Sequence, residues 1–366
     1  MIRELQSTTP VHANLWHKGY STLSLAGMLL VMSAYMLLTL TPLRLYGTVL
    51  ANDVVVHVQI ISLLAYAVGM MVFGPMCNWL TQRYRRGTVC IVSVAFYAMC
   101  ALAHFFIATG DLPAHPYFVV GLRFVTGAFY GLALMVLYGT LVIDKTESWL
   151  RTRANHSAAW LARLAMAIGP IIAVILHRNH LSTYICGGAF GLAFVSAILM
   201  RVVSFPFKAP DEDVHVFSLD RFMMPQAWAL FLFTACVFMC YGLLLAHTVS
   251  VAFYCMLLLG FLWALITEHW TSACSYNHRD LLVSALFVLM GMGMYFSTRV
   301  YMPSCLVASL IGAGLGMMGA KSQLAFIERS EHCRRGTAVS SFLLSCEMGV
   351  SVGVALGLLM PQIIAL

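Results

Sequence analysis

Charge is scarce in this sequence. Only 10% of its 366 residues are Asp, Glu, Lys or Arg, against about a quarter in a soluble domain. A chain so poor in charge cannot cover the surface of a water-soluble globule. With 61% apolar residues and a mean hydropathy of +0.86, it also carries more apolar side chain than one aqueous core can hide. No CxxC pair occurs among the eleven cysteines, most of which sit in apolar runs (Cys90, Cys100, Cys236, Cys240, Cys346). A metal centre or disulfide framework is not indicated, and small apolar filler is their expected role. The P-loop, the dinucleotide-binding glycine run, HExxH and GxSxG are all missing, so neither an enzyme nor a cofactor is expected. Residues 1–21 are polar and mixed, with no small-residue cleavage site after a short apolar core, so a removable signal is not expected either.

What the sequence has instead is a succession of apolar runs of about 20 residues, the length that crosses a bilayer as a helix. They predict spans over Thr22–Leu40, Gln59–Leu80, Thr88–Ala108, Tyr117–Ile143, Ala158–Leu176 and Thr183–Val203. After the polar stretch Ser204–Pro225 come Gln226–Ala246, Val249–Thr267, Asp280–Thr298, Pro303–Leu324 and Gly336–Met360. The apolar run from 226 to 267 is too long for one helix, and the predicted break is His247-Thr248. The expected organisation is an N-terminal segment 1–21, a six-helix bundle 22–203, a central loop 204–225 and a C-terminal bundle 226–366 of about five helices.

The net charge of +7 does not point to nucleic acid, because the basic residues lie in short connections between apolar runs. Connections after even-numbered spans hold Arg83, Arg85, Arg86, Lys145, Arg151, Arg153, Lys208, Arg221, Arg279, Arg329, Arg334 and Arg335; those after odd-numbered spans hold Arg44, Arg178 and Arg299. Positive-inside reasoning places the N-terminus and central loop in the cytoplasm and the C-terminus outside.

An internal repeat links the fifth and eleventh spans. Arg153-Ala-Asn-His-Ser-Ala-Ala-Trp-Leu161 aligns with Arg335-Gly-Thr-Ala-Val-Ser-Ser-Phe-Leu343, and Met166 and Met348 keep that register. The segments lie six spans apart, the spacing of parallel six-helix repeats in transporters. An even six-plus-six plan needs one helix more than the eleven found, so the last helix is expected to be missing.

Ionisable groups at membrane depth are costly and default to function. Glu347 falls near the middle of the eleventh span, Arg123 in the fourth and Arg163 in the fifth. A carboxyl that gains and loses a proton at depth is what a proton-coupled carrier requires; the alternative for Glu347 is a structural hydrogen bond. For Arg123 and Arg163 the alternative is snorkelling toward the interface. Gly127 and Gly131 share one face of the fourth span, and Gly349, Gly353 and Gly357 recur every four residues in the eleventh, as close helix packing requires. Gly169-Pro170 should bend or weaken the fifth span. The connection Gly74-Pro-Met-Cys-Asn78-Trp-Leu-Thr-Gln-Arg83-Tyr-Arg85-Arg86 is either a basic anchor or a gate latch whose arginines meet acids and helix C-termini.

These features resemble the major facilitator superfamily of transporters. Gly74 to Arg86 is similar to that family's motif between the second and third helices, with Asn78 where the family has an acid. Arg123-x-x-x-Gly127 resembles its fourth-helix motif, often tied to proton coupling. Gly169-Pro170 resembles the end of its fifth-helix motif, associated with antiporters, with Ala165 in place of a glycine. The resemblance implies two helical bundles around a cavity that opens alternately to each side. The expectation is an all-α, polytopic secondary transporter of the cytoplasmic (inner) membrane. Its partners would be a small-molecule substrate, the lipid bilayer and protons, and it would be a monomer. Proton-coupled efflux of small amphipathic molecules leads, with uptake of a sugar, organic acid or other metabolite as the rival. A truncated, non-transporting protein or a membrane-embedded enzyme or sensor stands as the alternative from another class.

Overall fold

The computed structural model describes residues 14–39, 52–205, 214–270, 278–296, 304–331 and 334–364. Among them are eleven helices long and apolar enough to cross a membrane, and no strand. We number the helices α1 (Lys18–Thr39), α2 (Asn52–Val72), the short α3 (Cys77–Arg83), α4 (Arg86–Thr109), α5 (Pro116–Val136), α6 (Arg151–Arg178) and α7 (Tyr184–Val202). The second half holds α8 (Trp228–His247), α9 (Val251–Trp270), α10 (His278–Phe296), α11 (Ser304–Glu328) and α12 (Arg335–Ile364). The fourth span continues past α5 through a π turn, Leu137–Leu141, and a last turn, Val142–Asp144.

The predicted break at His247-Thr248 is where α8 stops. Thr248 caps it with its own N–H on Leu244 O, and its carbonyl accepts the Tyr254 hydroxyl at 3.1 Å. The second span differs from its expected bounds. Helix α2 ends at Val72, well short of Leu80, and the chain turns before resuming as α3. Pro75 has no N–H to carry the helix on. Gly74 also leaves room for the Phe222 ring of the central connection, which a side chain there would strike.

Helix packing follows a six-span repeat. In the first half α2 packs on α5, α4 on α5, and α1 on α6; in the second half α9 packs on α11, α10 on α11, and α8 on α12. Two crossings match atom for atom. A Cβ on Gly69 would meet Phe124 O and Ala128 N, and one on Gly127 would meet Tyr66 O. A Cβ on Gly260 would meet Ser309 O and Ala313 N, and one on Gly312 would meet Leu257 O, at the same offsets. The glycines thus let backbones touch, the packing that membrane helices use in place of a hydrophobic drive. Gly349 and Gly353 do the same between α12 and α8, against Ala235 O and Met239 O. The halves meet through the equivalent pairs α2 with α12 and α6 with α9.

Candidate functional site between the halves

Glu347 is 4% exposed and lies where α12 meets the first half. The Tyr35 hydroxyl of α1 points to its Oε1 at 3.5 Å, and its Oε2 has no partner. A group of buried tyrosines surrounds it. Tyr35 packs on Tyr241 of α8 with ring centres 6.1 Å apart, Tyr66 stacks on Tyr130 at 6.1 Å, and Tyr97 meets Tyr130 at 5.5 Å. The hydroxyls of Tyr66 and Tyr138 have no partner. Buried polar atoms are normally paired, so a group of orphans marks a place where water or a ligand belongs.

Arg123 is also buried, at 1%, one end of its guanidinium donating to Leu37 O at 3.3 Å while Nη1 is unpartnered. It does not snorkel: the crossing of α5 on α2 at Gly127 turns it inward. No ion pair joins Arg123 to Glu347 among the described residues.

Pro170 shows how sequence and site connect. A proline at that position cannot donate to the carbonyl four residues back, Met166 O. Tyr241, from the other half, donates its hydroxyl to that carbonyl at 2.6 Å. Gly169 beside it brings α6 against Met32 O, 2.8 Å from where a Cβ would stand.

Arg163 belongs to a second polar group, toward the end of the molecule at which α1 begins. Its Nη2 donates to Gln323 Oε1 of α11 at 3.1 Å, and its guanidinium lies 4.5 Å from the ring centre of Trp160. Gly319 makes room for it, since a Cβ there would fall 2.5 Å from Arg163 Nε. Trp160 Nε1 donates to Glu268 Oε2 of α9 at 2.7 Å, and His156 Nε2 lies 3.2 Å from the same oxygen. Apart from the stacking of Arg163 on Trp160 within α6, these contacts cross between the halves. Glu268 was not foreseen from sequence because the predicted eighth span stops at Thr267; Trp160 and Gln323, uncharged inside predicted spans, and His156, just before one, did not stand out. A signal existed: His156, Trp160 and Arg163 are spaced four and three apart, on one helix face.

The same end is sealed by the central connection. The Arg221 backbone N–H donates to Thr337 Oγ1 at 2.8 Å, its guanidinium to Thr81 Oγ1 at 3.2 Å, and the Met224 N–H to Ser341 Oγ at 2.9 Å. Burial holds the Arg221 guanidinium below its ordinary range, with Arg86 nearby acting in the same direction. Arg86 grips Asp144 with Nη1 at 2.7 and 2.6 Å from the two oxygens. Asn78 is in α3 with its side-chain oxygen buried and unpartnered, Arg83 is in the last turn of α3, and Arg85 immediately precedes α4.

The architecture matches solved transporters. The chain aligns with the POT family transporter PepTSo at a TM-score of 0.67 and 10% identity, covering 96% of this chain and 92% of that one. It aligns with a D-xylose–proton symporter at 0.65 and 12% identity, over 93% and 89% of the two chains. FucP, a major facilitator superfamily transporter in its outward conformation, aligns at 0.62 and 14%, over 96% and 99%. The chain has the fold of major facilitator superfamily transporters. No family model and no curated protein matches the sequence.

Proposed function

We propose that this protein is a secondary transporter that carries a small solute across the membrane by alternating access, coupled to protons through Glu347. The observation that carries the reading is the place of that carboxyl. It is buried where the two halves meet, with one oxygen unpartnered among tyrosines from both halves. A group so placed changes its exposure when the halves move, which is how a proton on one side is exchanged for a solute on the other. Arg123, with one free edge near the same tyrosines, is the second coupling residue, and Arg163 acts at the contact between halves.

The distribution of basic residues supports a cytoplasmic N-terminus, in the inner membrane of a cell that has one. Efflux of small amphipathic molecules fits the aromatic lining. Uptake of a polar metabolite is the second reading, favoured by the unpartnered hydroxyls of Tyr66 and Tyr138. The D-xylose–proton symporter carries its own named solute, and this chain is proposed to work as a monomer.

The test is solute-induced proton movement in proteoliposomes with an internal pH dye, screened over amines, sugars, organic acids and peptides. A transported solute should move protons with the native protein. Glu347→Gln should abolish the proton signal while leaving exchange of labelled solute. Undiminished proton movement in that variant would remove Glu347 from the coupling.

A further inference from the structure

A cavity of ≈ 890 Å³ opens on the flank of the first half, away from the central tyrosines. Its walls come from Tyr84 to Thr88 at the start of α4, Asp144 at the end of the fourth span, and Arg201 to Phe205 at the end of α7. Three arginines line it, Arg85, Arg86 and Arg201, against one acid. That acid, Asp144, is held by both Arg86 bonds. Arg86 Nε remains buried without an acceptor, and Arg201 is exposed and in no ion pair among the described residues. Helix α4, 24 residues long, starts in this wall without a side-chain cap, so its first amides add positive potential. Lys145 adds more from 5.4 Å over the Phe205 ring.

The cavity is placed for an amphiphile. One span begins there and another ends there, so it sits at the boundary between headgroups and hydrocarbon. Beside these basic groups the walls are apolar: Ile91, Met200, Val203 and Phe205 line the cavity, and Val202 is 68% exposed. A free phosphate would use the basic groups and leave the apolar side chains bare. A phosphodiester carrying acyl chains uses both, and basic pockets between helices suit anionic headgroups. We propose that this cavity binds the headgroup of an anionic phospholipid, its phosphate on Arg201 and the start of α4, its chains along Ile91 and Val202. The proposal does not rest on the transport reading.

Native mass spectrometry of the full-length protein in detergent tests it, with dioleoylphosphatidylglycerol and dioleoylphosphatidylcholine as probes and inorganic phosphate as competitor. The native protein should retain the glycerol lipid over the choline lipid, and phosphate should not displace it. Arg201→Gln should cut that preference about fivefold, and Val202→Glu, which places an acid beside Arg201, should do the same. Arg153→Gln, an exposed arginine elsewhere, should leave it unchanged. Equal retention of both lipids, an unaltered preference in Arg201→Gln and Val202→Glu, or displacement by phosphate would each overturn the proposal.

Discussion

The indole of Trp160 donates to Glu268 Oε2 at 2.7 Å across the boundary between the two halves. The donor belongs to α6 and the acceptor to α9, so separating the halves at this end would break the bond. A hydrogen bond to a charged group contributes about 1.5–3 kcal/mol. Trp160→Phe should therefore shift the balance toward the open state about tenfold or more. Spin labels at Trp149 and Glu331, with the exposed native cysteines replaced, should report a longer distance. An unchanged distance distribution would mean that the contact does not hold this end shut.

Gly319 and Arg163 form a size-matched pair, with only 2.5 Å between a Cβ at 319 and Arg163 Nε. Gly319→Ala should lower stability by about 1–3 kcal/mol through overpacking. Combined with Arg163→Met, the added cost should largely vanish, a non-additivity expected only of residues in contact. Thermal unfolding of the four proteins in one detergent measures it; additive losses would refute the pairing.

Tyr241 satisfies the carbonyl that Pro170 leaves without its helical donor. Tyr241→Phe should cost about 1–3 kcal/mol, the penalty for a buried acceptor left bare. In a Pro170→Ala background the new Ala N–H can reach Met166 O, so the same change should cost less. If Tyr241→Phe is equally harmful in both backgrounds, the hydroxyl matters for another reason.

Cys77 lies under the central connection, fully buried, its thiol pushed up to about 12 by burial. The thiolate is the nucleophile, so at neutral pH little of this cysteine reacts, and its fraction of thiolate grows about tenfold per pH unit below that value. N-ethylmaleimide should modify Cys77 far more slowly in the native protein than after unfolding in sodium dodecyl sulfate, by peptide mass spectrometry. Trp160→Phe should raise the Cys77 rate by uncovering this end. A Cys77 rate in the native protein matching that of the unfolded protein would show that this end is not sealed.

The spans were legible because bilayer thickness imposes one dominant constraint, apolar length, and a sequence displays that directly. Even the His247-Thr248 break followed from length alone. The end of the second span was misplaced because Phe73, Met76, Trp79 and Leu80 keep the hydropathy high past Gly74-Pro75, where the backbone has already turned. Glu347, Arg123 and Arg163 stood out as isolated charges in apolar runs. Glu268 did not: it sits at the last turn of α9, where a sequence reads it as an interfacial acid, and its partners are on α6. The tyrosines were invisible as a group, since Tyr35, Tyr66, Tyr97, Tyr130 and Tyr241 come from five helices. Their convergence is set by glycine crossings whose register no single run reveals.

The matching crossings of α2 on α5 and α9 on α11 bear on leverage. If each half moves as a stiff body about the middle of the membrane, Glu347 sits near the pivot and the start of α12 sits at the rim. Eleven residues separate Gly336 from Glu347, about 17 Å along the helix. A tilt on the order of 10° would displace the rim by about 3 Å and the pivot hardly at all. The rim bonds at Glu268 and Arg221 would then break early and together, while the tyrosines around Glu347 keep their neighbours. Solute and proton could change sides without the central group being rebuilt.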